Sequence, residues 1–329
     1  MRPFAFERPD DPAAAMQSWR PGAHYLAGGT TLLDLMKLDV MRPSRLIDIN
    51  ALAGEHAEIV HVPGGLRLGA MARMSDVAAD PDVRRDYPVI AQSLELAASP
   101  QLRNMATLGG NVLQRTRCSY FRDPSWANCN KRNPGSGCAA LNGINRKHAI
   151  LGVSDQCIAT YPGDFAQALI ALGAIVRVLG PDGARTLRFS ALHVPPGEQP
   201  DIETSLRPDD LIVAFDVPAG AWTRRSVFLK IRDRQSYEFA LASAAVALEL
   251  RDESIAAARI GLGGVATTPW RAEEAEALLV GQSPSTALFQ AAADAAFAQA
   301  QSREGNHYKV ALGKRTLMRA LAQATEMQV

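Results

Sequence analysis

Between Leu113 and Tyr161 the chain loses every sign of regular secondary structure. The window is rich in Asn, Arg, Gly, Ser and Pro and sustains neither the 3.6-residue period of a helix nor the alternation of a strand. Ordered loops of this length are uncommon in a compact domain unless they are functional or held by something other than a core. All four cysteines, Cys118, Cys129, Cys138 and Cys157, fall inside it. Any fold proposed for this chain has to accommodate that stretch.

The flanks are conventional. A strand is predicted at His24–Ala27, followed by Gly28-Gly29-Thr30-Thr31 and a helical segment from Leu32 to Lys37. Strands are predicted at Arg45–Asn50 and Leu66–Ala70. Ser75 and Asp76 read as the cap of a helix entered at Val77, and a longer helix runs from about Tyr87 to Ala98. Beyond the window come a helix over Gly163–Leu172 and strands at Ala174–Leu179 and Leu211–Val217, the last ended by Pro218. The remainder reads as strands at Ser226–Arg232, Ser243–Leu250 and Ala256–Gly263. Helices follow at Arg271–Leu279, 287–300 and Tyr308–Ala322. Strands followed by helices on one side indicate an α+β unit. With 329 residues, two or three domains are expected rather than one core.

Charge excludes some partners. Thirty-five Lys and Arg balance 34 Asp and Glu, so the chain has no field for nucleic acid or an anionic bilayer. No run of eighteen apolar residues is present, and membrane insertion is not expected. Met1–Pro12 has no apolar signal core and no twin-arginine pair, so the chain by itself reads as cytoplasmic and would need a partner to carry it out.

Two glycine pairs are candidate ligand loops. In Ala27-Gly28-Gly29-Thr30-Thr31 the glycines permit a positive φ and close backbone approach, and amides at such a turn attract anions. The dinucleotide pyrophosphate suits this chemistry, although the pattern is neither Gly-x-Gly-x-x-Gly nor a Walker loop, and a plain tight turn is an equal reading. Thr107-Leu108-Gly109-Gly110-Asn111 is the second pair. Two such loops suit a clamp on one extended cofactor.

The cysteines are spaced Cys-x10-Cys-x8-Cys-x18-Cys. Structural zinc sites generally carry a close Cys-x2–4-Cys pair, which is missing here. Four thiolates on loop backbone suit a cubane iron–sulfur cluster. Arg115, Arg117, Arg122, Lys131, Arg132, Arg146 and Lys147 would offset its negative charge. Cluster, zinc and unliganded thiols all remain open on the residues alone.

Together, Ala27–Lys37, Thr107–Asn111 and Lys230–Ala240 resemble the FAD-binding subunits of the xanthine dehydrogenase family of molybdenum hydroxylases, over nearly the whole chain. Leu113–Cys118 and Cys129–Leu141 are most similar to the cluster loop of the flavin subunits of bacterial periplasmic aldehyde oxidoreductases. The resemblance implies a two-part N-terminal α/β region of the PCMH type, with subdomains 1–53 and 54–218, and a C-terminal α+β domain over 219–329. It implies that residues 113–161 are an insertion splitting one FAD motif, so that two cofactors lie close together. FAD pyrophosphate would meet Leu26, Ala27, Gly28, Gly29, Thr30, Thr31, Leu32, Leu33 and Asp34. Gly110 and Asn111 would belong to the same cofactor site, and Thr107 and Asp164 would contact the ribityl and adenosine portions. Ile212 would pack beside the flavin, with Lys230 near its ring system. Cys118, Cys129, Cys138 and Cys157 would bind a [4Fe–4S] cluster.

By the same resemblance no catalytic side chain is expected here. The chain would be an electron-transfer subunit, partnered by a large molybdenum-cofactor subunit and a small [2Fe–2S] subunit, passing electrons to an external acceptor. It would reach the periplasm with a signal-bearing partner; the cytoplasm is the alternative. Two other functions are weighed against this: a free-standing flavoprotein oxidase, and a non-enzymatic scaffold with a zinc-bound cysteine loop.

Overall fold

The computed structural model describes residues 1–329 and contains three sheets. The first is small and parallel, with β1 (Ala5–Glu7), β2 (Ala23–Leu26) and β3 (Arg45–Asp48) in the order β1-β3-β2. Parallel neighbours need crossover connections, and the helices Pro12–Gln17 and Leu32–Lys37 provide them. Asp11 caps the first helix by accepting from the Ala14 N–H at 2.8 Å, and Pro12 takes a position where no N–H is needed.

The second sheet is antiparallel: β4 (Ile59–Val62), β5 (Gly65–Gly69), β6 (Ile175–Gly180), β7 (Gly183–Arg188) and β8 (Leu211–Pro218), ordered β4-β5-β8-β6-β7. Alternate residues of β6 are buried, and Val176 and Val178 share one hydrophobic core with the helices Pro88–Glu95 and Phe165–Leu172. All eight residues of the latter helix are buried, and Gly173 ends it at φ 70°.

The third sheet comprises β9 (Ser226–Ile231), β10 (Ala242–Arg251), β11 (Ser254–Gly263) and β12 (Trp270–Arg271), ordered β12-β11-β10-β9. In β10, Ala245 and Ala247 enter the core shared with the second sheet, while Ala244, Val246 and Leu248 enter a separate C-terminal core. Burial on both faces explains why this strand is a continuous apolar run. Helices Glu273–Leu279, Thr286–Ala296 and Tyr308–Glu326 cover the second face.

Several local expectations change. Ser75 and Asp76 lie inside the first turn of a helix that starts at Met74 with Arg73 before it, and neither side chain caps it. The helix expected from Tyr87 to Ala98 is Pro88–Glu95, and Ala98 already has φ 50°. Gly109 and Gly110 sit in a short helix, Leu108–Val112, not in a turn. Strands β1, β4 and β7 had no clear apolar alternation to reveal them; β7 is mostly exposed.

The cysteine window is ordered with almost no regular structure. It holds one helical turn, Ser119–Arg122, and isolated bridges pairing Cys129 with Cys138 and Leu151 with Ala266. Its ends are tied together, because Thr116 Oγ1 donates to Thr160 O (2.9 Å) and the Tyr161 hydroxyl to Val112 O (2.8 Å). Arg132 donates to the carbonyls of Tyr120 and Phe121, both at 2.7 Å. Such side-chain bonds satisfy main-chain groups that no ladder serves. Ile150 and Leu151 are buried in the C-terminal core, which anchors the far end.

Candidate functional site

A cavity of about 570 Å³ opens where the three regions meet. One wall is Ala27, Gly29, Thr30, Thr31 and Leu32; another is Thr107, Gly109 and Gly110 with Val112; Ile212 of β8 adds an apolar surface. Gly29 holds φ 72°, a conformation that L side chains rarely adopt. A Cβ on Gly28 would lie 2.0 Å from the Met105 carbonyl oxygen. This glycine is therefore required by protein backbone: the two loops press directly on one another.

Polar links reinforce that contact. Asn50 Nδ2 donates to Ala27 O at 2.9 Å, Arg73 donates to Asn50 Oδ1 at 3.2 Å, and Arg73 also donates to Met105 O. Thr107 Oγ1 accepts from the Gly110 N–H at 3.2 Å, so this threonine caps the short helix Leu108–Val112 as well as lining the cavity.

The remaining expected residues do not line the cavity. Leu26, Gly28 and Leu33 lie behind the first loop, with the Leu33 side chain packed under Gly29. Asp34 turns to the cysteine window, accepting from Arg117 (3.0 Å) and Arg122 (2.8 Å). Burial pushes its carboxyl upward, but the two guanidinium groups outweigh that and hold it below the ordinary range. Asn111 donates to Met74 Sδ at 3.4 Å.

Asp164 and Lys230, expected on the ribityl–adenosine portion and beside the flavin ring, are buried against each other instead. Lys230 Nζ lies 2.7 Å from Asp164 Oδ2 and 3.0 Å from Leu96 O, and the two side chains are 1% and 4% exposed. Burial raises the Asp164 carboxyl, and Lys230 offsets only part of this.

The structure adds residues that no motif indicated. Arg115 and Lys131 line the cavity from the cysteine window and clasp Glu203, which also lines it, at 2.6 and 2.8 Å. Against the upward push of burial, these cations hold the Glu203 carboxyl down. His193, against Tyr161 with ring centroids 4.8 Å apart, donates from Nε2 to Val112 O at 3.1 Å.

The four cysteines surround a second, much smaller cavity of about 10 Å³, with Tyr120 and Phe121 among its lining. All four are free thiols, so a disulfide framework is not what orders the window. The Ala159 N–H donates to Cys157 Sγ at 3.4 Å; amides of Tyr120 and Phe121 serve Cys118, and those of Ala140, Leu141 and Ile158 serve Cys138. Burial pushes the Cys118 thiol up to about 11. A hydrogen bond from Cys157 favours the Cys138 thiolate, and the same bond together with burial keeps Cys157 protonated. No three His, Cys, Asp or Glu groups converge on a single metal-ion position. Cys157 lines both cavities, so the sulfur cluster of the window shares a wall with the larger site.

Residues 3–220 match the family model described as the FAD binding domain in molybdopterin dehydrogenase. The chain belongs to this family. Residues 227–324 match the CO dehydrogenase flavoprotein C-terminal domain. The chain is 47% identical to the aldehyde oxidoreductase FAD-binding subunit PaoB of Escherichia coli, over 98% of its own length and 99% of that protein's. It is 28% identical to the carbon monoxide dehydrogenase medium chain of Hydrogenophaga pseudoflava, covering 92% of this chain and 89% of the relative. A solved structure of carbon monoxide dehydrogenase from the same organism superposes with a TM-score of 0.76 at 27% identity, covering 98% of this chain and 97% of that one. The chain is thus an FAD-binding subunit of the molybdenum hydroxylase type, within an oxidoreductase family and with an aldehyde oxidoreductase relative. The larger cavity is lined by the hydroxyl-bearing Thr30, Thr31 and Thr107 and by Arg115 and Lys131, chemistry of the kind that recognises phosphate.

Proposed function

We propose that this chain is the electron-transfer subunit of a molybdenum-containing aldehyde oxidoreductase, holding FAD in the larger cavity and a [4Fe–4S] cluster on Cys118, Cys129, Cys138 and Cys157. The observation that carries the reading is the shared wall at Cys157, which puts a four-thiol site directly beside the flavin-sized cavity. Main-chain N–H groups already aimed at three of the sulfurs suit thiolate ligands, and a loop without its own core suits one folded on a metal cluster.

When bound, the two cofactors supply the redox chemistry. The protein's part is placement. Ala27, Gly29, Thr30, Thr31 and Leu32 present the first loop, Thr107 and Gly110 the second, and Ile212 an apolar face for the ring system. Asp34, through Arg117 and Arg122, fixes the cysteine window against the helix behind the first loop. Asp164 and Lys230 support from behind, locking the start of helix Phe165–Leu172 to β9.

A large partner with molybdenum cofactor would oxidise the aldehyde, and a small [2Fe–2S] partner would relay electrons to this chain and on to an external acceptor. The domains would be 1–53, 54–218 and 219–329, in a complex carried to the periplasm by a signal-bearing partner. The test is iron, acid-labile sulfide and FAD per chain after anaerobic purification, with EPR of the reduced protein. Four irons, four sulfides and one FAD are expected, and Cys129→Ser should lose the iron. Folded wild-type protein with equimolar zinc, or Cys129→Ser with full iron, would overturn the cluster assignment.

A further inference from the structure

We infer that His148 is a positioning residue of the four-cysteine site, donating a hydrogen bond from Nε2 to Cys118 Sγ and thereby raising the reduction potential of the cluster held there. The inference rests on the cluster reading above and adds a residue to it.

Among the chain's six histidines, His148 alone falls in the window, and it is 5% exposed. Its Nε2 lies 3.2 Å from Cys118 Sγ, while Nδ1 is buried with no partner. A cysteine sulfur bound to a cluster carries no proton, so the 3.2 Å contact is a hydrogen bond only with Nε2 as the donor. A doubly protonated ring would present the same N–H. In either state Nε2 donates and the sulfur accepts.

The ring is also held in place. The His148 N–H donates to Asn145 O at 2.9 Å, and the fully buried Asn306 donates from Nδ2 to His148 O (3.5 Å) and Ala149 O (3.1 Å). Asn306 lies just ahead of the long C-terminal helix, and the next turn brings Lys309, itself fully buried and 2.6 Å from Gly264 O. The C-terminal unit thus fixes the donor, and the window supplies the acceptor. A hydrogen bond withdraws charge from a thiolate ligand, which favours the more negative, reduced state of the cluster.

The test uses the full chain purified anaerobically with its cofactors. His148→Phe removes the donor and keeps a ring; His148→Gln retains an N–H with similar reach. Iron and sulfide are assayed first, and cluster EPR is then followed in a potentiometric titration. The expected result is a lower midpoint potential in His148→Phe, with His148→Gln nearer the wild type. Unchanged potentials in both iron-replete variants would overturn the inference. Should His148→Phe fail to assemble, wild-type protein labelled with 15N-histidine keeps the question open to measurement. Pulsed EPR should detect one histidine nitrogen coupled to the reduced cluster, and no coupling would refute the contact. Wild-type protein without iron would sink the cluster reading itself, whereas iron without shift or coupling would sink only the role of His148.

Discussion

Replacing Gly28 by Ala tests whether the two loops are a clamp or only neighbours. The new Cβ would stand 2.0 Å from the Met105 oxygen and 2.8 Å from its carbonyl carbon. An ordinary C···O contact is about 3.3 Å or more, so the main chains must part by roughly 1.3 Å. Both are backbone, and no flexible side chain can swing away to absorb the clash. Overpacking of this kind costs about 1–3 kcal/mol. In the free protein the strain is relieved by separating the two walls of the cavity. Binding FAD would have to restore the contact, so the same energy is charged to affinity, roughly 5- to 140-fold at about 1.4 kcal/mol per tenfold. The assay is flavin fluorescence titration of the apoprotein, with thermal unfolding of both forms. Gly29→Ala is the comparison: there the clash is with the end of the Leu33 side chain, and the main cost is the left-handed backbone, about 1–2 kcal/mol. Wild-type FAD affinity in Gly28→Ala would refute the clamp.

Two further outcomes follow from buried charge. Lys230→Met strands the Asp164 carboxylate, whose Oδ1 already has no partner, and should cost about 3–5 kcal/mol in chemical denaturation; adding Asp164→Asn should recover part of it, and a loss under about 1 kcal/mol would show the pair to be dispensable. His193, drawn by burial from 6.5 to about 4, binds fewer protons folded than unfolded between those values. Its contribution is therefore complete above about pH 6.5 and lost as the pH falls toward 4, by up to about 1.4 kcal/mol per pH unit. His193→Gln, which keeps a donor for Val112 O, should show a shallower acid limb in stability against pH, though His148, drawn to about 4 by burial and then Lys309, prevents a flat one. An unchanged slope would remove His193 from the account.

Much of the scaffold was legible residue by residue. The residues read as strands at β6 and β8 and as a helix over Gly163–Leu172, and the structure places them there; the strands-then-helices order of the C-terminal unit is found in the structure as well. Gly28-Gly29 and Thr107–Gly110 announced two close-approach loops, and both line or back one cavity. The lack of any period over 113–161 likewise announced a segment held by something other than helix or ladder.

The partners within the site were not legible. Asp34 leaves the cavity for arginines 83 and 88 residues away, Lys230 finds Asp164 at a separation of 66, and Arg115 and Lys131 converge on Glu203. Gly28 has to be small for the Met105 backbone, a neighbour that no local pattern names. Local chemistry states only that a buried charge needs a counter-charge and that a glycine admits close approach. Which group answers depends on how sheets and loops distant in sequence pack together. The sequence by itself determined the elements and the residue types available for chemistry. Tertiary packing alone decided which of them meet, because period and propensity act over a few residues while electrostatic and steric partners are chosen in space.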